Sequence, residues 1–353
     1  MSDQPAKDAA DFGRRIPGAL VEAMAKCFGS SAGPVVGLLG VLVLFVALVA
    51  NAGELQRFLS LGNLQVLLHD NTIPAVAALG MLLVIVSGGI DLSVGSVVAL
   101  VTVVTMRVYN ALYEQTNSTT IASLAAIAAG LGTGGGCGLA NGSIVTLFRV
   151  PPFVATLGMY SIARGLAIWL AGRQLLTFRS GSRPAWVDAL TETRGGYGIF
   201  YPGFWSLGLL AVVTALLLRR TVLGRYIYAV GSNEAAARLC GVAITPTKLA
   251  VYTLAGFLNG WAGLLSFAHV SSGDPSGNVG FELIVIASVV IGGASLSGGR
   301  GTVVGTLLGV LIWGVIDNGV NTLSVAVEVK YIVIGAFFLL NTALSQWQRQ
   351  RAE

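Results

Sequence analysis

Charge is scarce in this chain. Asp, Glu, Lys and Arg make up 10% of its 353 residues, against roughly 25% in ordinary soluble domains, while apolar residues make up 54%. A chain so composed has too little polar surface to cover itself in water. Cysteine is scarcer still. Cys27, Cys137 and Cys240 stand alone with no CxxC pair, which argues against a disulfide framework and a cysteine zinc site. The two histidines, His69 and His269, fall near the expected outer interface, and neither is expected to join a metal constellation with nearby acids. No lysine follows a glycine, so the phosphate-cradling GxxxxGK[ST] loop is missing, and HExxH is missing too. The expectation is a non-catalytic chain with no metal or cofactor of its own; if ATP is used, another chain must bind it, with its Mg2+. The net charge of +5 is explained by basic loops and gives no reason to invoke nucleic acid.

What is present is apolar length. Runs of about twenty apolar residues recur across the chain, the length that crosses a hydrocarbon core of about 30 Å. The expected fold is an all-α polytopic membrane protein with spans at 34–51, 73–86, 94–113, 121–147, 153–171, 204–218, 249–269, 283–293, 303–323 and 331–344. The stretches 54–71 and 292–301 are candidates for re-entrant or interfacial segments. This gives a membrane domain over 34–345, between a tail over 1–33 and a second over 346–353. The first tail lacks the apolar h-region of a signal peptide. An even span count puts both tails on one side. With the N-terminus inside, thirteen Lys and Arg fall in cytoplasmic segments and six outside, which favours N-in/C-in in a bacterial inner membrane, surrounded by lipid. The outer loop 172–203 opposes this with four arginines, and it is long enough to be an ordered external cap.

Glycine is abundant at 47 residues. The runs at 130–136 and 305–309 fit close helix packing. Gly88-Gly-Ile-Asp-Leu-Ser-Val-Gly95 echoes Gly292-Gly-Ala-Ser-Leu-Ser-Gly-Gly299 at five of eight positions, and transporter folds carry repeats whose helices break near the substrate path.

Between Arg219 and Lys248 a basic segment interrupts the apolar pattern, with Glu234 its one acid. It reads as a cytoplasmic loop with a short helix in its middle. Asn233 caps the start, Glu234 complements the positive end, Ala235, Ala236 and Ala237 follow with Arg238, and Gly241 ends it. A small pre-formed helix of this kind suggests a handle for another protein. Ionisable groups at membrane depth are costly and face the bundle interior. Asp91 lies in the Gly-Gly break, where it acts in gating or merely caps the next helix together with Ser93. Arg164, mid-span, needs a carboxylate or carbonyl partner, with Asp317 a candidate; Glu282 begins a span.

Four segments carry a resemblance: GMLLVIVSGGIDLSVGS (80–96), VPPFVATLGMYSIARGLA (150–167), GRYIYAVGSNEAAARLCGV (224–242) and GFELIVIASVVIGGASLSGGRGTVVGTLLG (280–309). In order and spacing, from about 63 to 340, they resemble the permease subunit of ribose-type ABC sugar importers. The resemblance implies a channel to which a periplasmic sugar-binding protein delivers a monosaccharide or polyol. It also implies a separate ABC ATPase subunit and a second permease chain, with a homodimer expected. It implies that the Glu234-Ala235-Ala236 loop docks in a groove of the ATPase, and that polar and aromatic groups line the path. Asp91, Ser93, Asn141, Phe153, Thr156 and Asn318 are the candidates. Asp317, before Asn318-Gly319, and the stretch 269–280 depart from the family pattern and bear on which sugar is carried. An ion-coupled secondary transporter, motivated by Asp91, Glu282 and Asp317, is one alternative, and an ABC permease for branched-chain amino acids or vitamins is another.

Overall fold

The computed structural model describes residues 33–179, 181–191 and 201–324, with Ile332 and Gly335. All but Gly33 of the expected tail over 1–33, the tail over 346–353, nearly all of the tenth expected span, and Arg194 lie outside the described residues. Among the described residues, eight helices are long and apolar enough to cross a membrane. They are α1 (Gly33–Asn51), α3 (Leu61–Val86), α4 (Val94–Thr116), α5 (Thr119–Leu147), α6 (Pro152–Ala171), α8 (Pro202–Arg220), α11 (Ile244–Val270) and α13 (Val303–Thr322). Between them lie α2 (Leu55–Phe58), α7 (Ala185–Thr191), α9 (Val222–Ser232), α10 (Glu234–Leu239) and α12 (Phe281–Ile291), with strands β1 (Leu176–Thr177) and β2 (Ser272–Gly273).

Two expected spans are corrected. The second begins at Leu61, not at 73, with Ser60 Oγ accepting from Asn63 N at 3.1 Å. The polar run His69-Asp70-Asn71-Thr72 before Pro74 reads as an interface. The helix nevertheless runs through it, because Asn71 Nδ2 and Thr72 Oγ1 donate to the carbonyls of Leu67 and Leu68, one turn back. The eighth span, α12, has 11 residues; at 1.5 Å per residue it covers about 16 Å, half a bilayer core.

Glycine sets the packing at the centre. α5 and α11 run antiparallel, and side chains at Gly134 or Gly256 would collide with the backbone of the facing helix. That contact is open only to residues without a Cβ. A side chain at Gly305 or Gly309 would strike the α12 backbone and its continuation at Gly292, which closes the α12–α13 hairpin. The core between them includes Leu79, Leu82, Val86, Val251 and Val285.

At the end opposite α9 and α10, the loop after α6 is ordered where it is described. Leu176 and Thr177 pair antiparallel with Gly273 and Ser272. Tyr109 donates its hydroxyl to the Ser182 carbonyl, and Arg179 and Arg183 pair with Glu114 and Asp188. Two of the arginines in this loop are therefore neutralised within it.

Beyond β2 the chain turns inward without forming a helix. Gly273 lies against Val103 and Met106, whereas the Asn278 carbonyl and Glu282 lie against Gly95. Eleven residues along α4 separate Met106 from Gly95, so the segment descends about 16 Å into the bundle. Non-helical backbone at that depth must have its carbonyls satisfied by protein. Arg164 does this, since its Nη1 donates to the carbonyls of Pro275 and Gly277, both at 2.8 Å. The expected Arg164–Asp317 pair is not formed; the Asp317 carboxylate accepts from Asn321 at 3.0 Å.

Candidate functional site

The loop 219–248 is more regular than its sequence suggests. Thr221 caps a full amphipathic helix, α9, accepting from Gly224 N at 3.0 Å. Asn233 then ends α9 and caps α10 in one step, its Oδ1 accepting from Ala236 N at 2.9 Å. Gly241 takes φ +81°, the left-handed turn that frees the chain after α10. Ala237 is buried with Val230 and Ile244 in a small apolar core of the loop. Ala235, Ala236, Arg238 and Cys240 face outward, and Leu239 is 90% exposed.

Glu234 faces its own chain more than it faces outward. Its carboxylate accepts from Lys248 Nζ at 2.6 Å and from Arg238 at 3.1 Å. Lys248 first, then Arg238, hold the Glu234 carboxyl below the ordinary glutamate value of 4.5, against a smaller opposing effect of burial. Lys248 lies in the first turns of α11, so this ion pair ties α10 to a core helix.

The inner face of α9 is seated on the echoed segments. A side chain at Gly231 would overlap the Val86 carbonyl and lie 2.7 Å from Gly299 N. Gly299 N donates to the Val86 carbonyl at 2.9 Å, and Tyr228 donates to the Gly301 carbonyl at 2.7 Å. A side chain at Gly88 would meet Gly231 at 3.7 Å. The two Gly-Gly segments thus lie side by side under one helix.

From Val86 the first echoed segment turns back into the bundle and opens α4 there. Asp91 is 4% exposed. Its Oδ1 accepts from Ser93 N at 2.8 Å and from Ser93 Oγ at 2.6 Å, and Asn141 donates to Ser93 Oγ at 3.0 Å. Thr156 donates to the Ile90 carbonyl at 3.1 Å. Ser93 occupies the capping position of α4 without a side-chain capping bond, which corrects its expected role. It is the Asp91 carboxylate that satisfies Ser93 N, so Asp91 holds the turn before the helix and does not cap the helix itself. Two further polar atoms here, Asn141 Oδ1 and the Tyr252 hydroxyl, are buried with no hydrogen-bond partner. Tyr252 faces the Gly89 backbone. Sequence reasoning missed it because a tyrosine on an apolar helix reads as core.

Of the six candidate path residues, the structure gathers Asp91, Ser93, Asn141 and Thr156. Phe153 is 52% exposed on the outside of α6. Asn318 sits at the far end of α13, exchanging amide hydrogen bonds of 2.8 and 2.9 Å with Asn63. Neither belongs to the cluster. The two histidines are corrected as well, because helix periodicity brings them together from α3 and α11 at the end away from α9 and α10, with ring centroids 4.6 Å apart.

Residues 64–342 match the family described as "Branched-chain amino acid transport system / permease component". The chain is similar to the ribose import permease protein RbsC of Escherichia coli, 37% identical over 308 residues, which cover 85% of this chain and 90% of that one. It is similar also to the L-arabinose ABC transporter permease protein AraH of Azospirillum brasilense, at 35% over 88% of each chain. The fructose import permease protein FrcC of Rhizobium meliloti is 32% identical over 88% of this chain and 85% of its own length. No solved structure matches the chain.

Proposed function

The chain belongs to the family of branched-chain amino acid transport system / permease components and is a multi-pass inner-membrane protein, and from that premise we propose that it is the non-catalytic permease subunit of an ABC importer for a monosaccharide. The observation that carries the choice of substrate class is the set of relatives named for ribose, L-arabinose and fructose import, each matched over most of both chains. The family description names branched-chain amino acid transport, but the relatives matched over most of both chains are named for sugars, and an ion-coupled carrier has neither kind of support.

The cytoplasmic partner is an ABC ATPase subunit, which binds ATP and Mg2+, and the periplasmic partner is a sugar-binding protein. Two permease chains form the pore, and both tails face the cytoplasm. α10 is the docking element, presenting Ala235, Ala236, Arg238 and Leu239, while Glu234 fixes its angle through Lys248. Closure of the ATPases on ATP moves α10, and α9 passes the movement to the echoed segments. The cluster of Asp91, Ser93, Asn141, Thr156 and Tyr252 offers a passing sugar hydroxyls and amides without a deep charged pocket. Weak multi-point hydrogen bonding of this kind lets a neutral solute leave again. Reconstitution with the ATPase and binding protein tests the reading. Uptake of a pentose or hexose should require ATP inside the vesicles, and uptake driven by an ion gradient without the ATPase would refute it.

A further inference from the structure

At the end opposite α9 and α10, three side chains of suitable chemistry converge from two helices. His69 and Asp70 lie in the third turn of α3 and His269 lies at the end of α11. One potential ligand atom from each lies within 4.8 Å of the others. Two of these residues are exposed, and His69 is held in place. Its ring stands between the His269 ring, at 4.6 Å, and the Tyr201 ring, at 5.1 Å. The Tyr201 hydroxyl donates to Thr72 Oγ1 at 2.6 Å, fixing the wall behind it. His69 Nδ1 and Asp70 Oδ1 are 3.3 Å apart, the separation that two ligands of one tetrahedral metal take. A shallow recess lined by Thr72, Leu190, Tyr201 and Leu265 opens beside the pair.

We propose that His69, His269 and Asp70 form a binding site for a borderline-soft divalent metal of the zinc class, clamping α3 to α11 at the periplasmic end. Two neutral imidazoles and one carboxylate make a three-ligand set with a fourth position for water, and such sets favour zinc over magnesium or calcium. Tetrahedral bonds of 2.0–2.1 Å place ligand atoms about 3.3 Å apart. Side-chain rotation of exposed Asp70 and His269 is enough to close the remaining distance. The site involves none of the coupling or path residues, so it does not depend on the transport reading.

The test is a zinc titration of the assembled transporter in nanodiscs, with affinity tags removed and the protein first stripped with EDTA. Calorimetry should find one zinc per permease chain. His269→Gln and His69→Gln should each weaken it by more than about tenfold, since even outer contacts to metal ligands are worth 10–100-fold. Both variants should elute from size exclusion as the wild type does and keep its thermal stability without zinc, showing that they fold. X-ray absorption of zinc-loaded wild type should show nitrogen and oxygen neighbours near 2.0 Å and no sulfur. Unchanged zinc affinity in the variants, a sulfur neighbour, or displacement of zinc by millimolar magnesium would overturn the proposal.

Discussion

Leu239 gives the docking role a quantitative test. The side chain is 90% exposed at the last position of α10, where the permease alone gains nothing from it. Replacing it with alanine leaves no cavity and slightly favours the helix, so permease stability should change by no more than about 0.5 kcal/mol. The situation differs if the ATPase groove covers this tip. The substitution then removes up to three buried carbons at about 0.8 kcal/mol each, and partial burial brings the loss to about 2 kcal/mol. At roughly 1.4 kcal/mol per decade this weakens ATPase binding about 30-fold. The assay is surface-captured permease in nanodiscs titrated with purified ATPase, read beside the thermal stability of the permease alone. Arg238→Ala serves as a comparison; it removes an exposed charge whose pair with Glu234 is worth less than about 1 kcal/mol. If Leu239→Ala leaves ATPase affinity within twofold of wild type, α10 does not dock through its tip and the coupling geometry proposed here is wrong.

Other substitutions separate coupling from folding. Gly231→Ala gains about 1 kcal/mol of helix propensity but drives a methyl into the Val86 carbonyl; overpacking against backbone costs about 1–3 kcal/mol. The variant should bind the ATPase while ATP turnover no longer drives uptake, and normal uptake would remove α9 from the coupling path. Asp91→Asn keeps an acceptor for Ser93 and removes only the charge. Uptake should fall at least about tenfold, the usual scale for a lost buried charged contact, whereas wild-type uptake would confine Asp91 to shaping the turn. Arg164→Met strands two buried carbonyls at about 1–3 kcal/mol each, so the protein should melt earlier in detergent, with partial recovery in Arg164→Lys. The depressed Glu234 value also makes a pH prediction. The tie to Lys248 is fully present above the ordinary value of 4.5 and is lost only as pH falls through the lower folded value. ATPase affinity should therefore be flat from about pH 5.5 to 8, and a loss on approach to pH 5.5 would show that Glu234 is not so held.

The regular parts of this fold were legible because apolar length and capping chemistry are local. The α10 helix followed from Asn233, Glu234 and three alanines, and the close approach of α5 to α11 from the glycine run. The broken parts were legible only as interruptions. The sequence marks Gly88-Gly89 and Gly292-Gly293 as breaks, but whether a break faces water or turns back inward depends on partners far along the chain. Arg164 holds carbonyls 111 and 113 residues away, and no local pattern contains that. α9 was missed because Arg225, in a stretch bounded by Arg219, Arg220 and Arg238, reads as loop when the apolar inner face has no visible partner. The separation of Asn318 from the Asp91 cluster was hidden for a related reason. An asparagine near a helix end looks like a path residue until its partner, Asn63 at the start of α3, is known.

The arrangement also explains how a six-residue helix at the surface can reach a buried carboxylate. α10 has two connections inward. One is the ion pair from Glu234 to Lys248 on α11, and Lys248 lies one helical turn from Tyr252 on the same helix, as residues i and i+4 do. The other runs through Asn233 into α9, where Gly231 lies against Val86 and Gly299 with no space for a side chain; the residues after Val86 lead directly to Asp91. On the proposed function, a displacement of α10 arrives at both sides of the polar cluster, at Tyr252 through one helix and at Asp91 through the other. Packed elements of this kind shift between discrete arrangements and do not deform smoothly. Tyr252 and Asp91 should accordingly separate or close as a pair. On the proposed function, the partnerless Tyr252 hydroxyl and Asn141 oxygen are the atoms offered to a sugar as that change occurs.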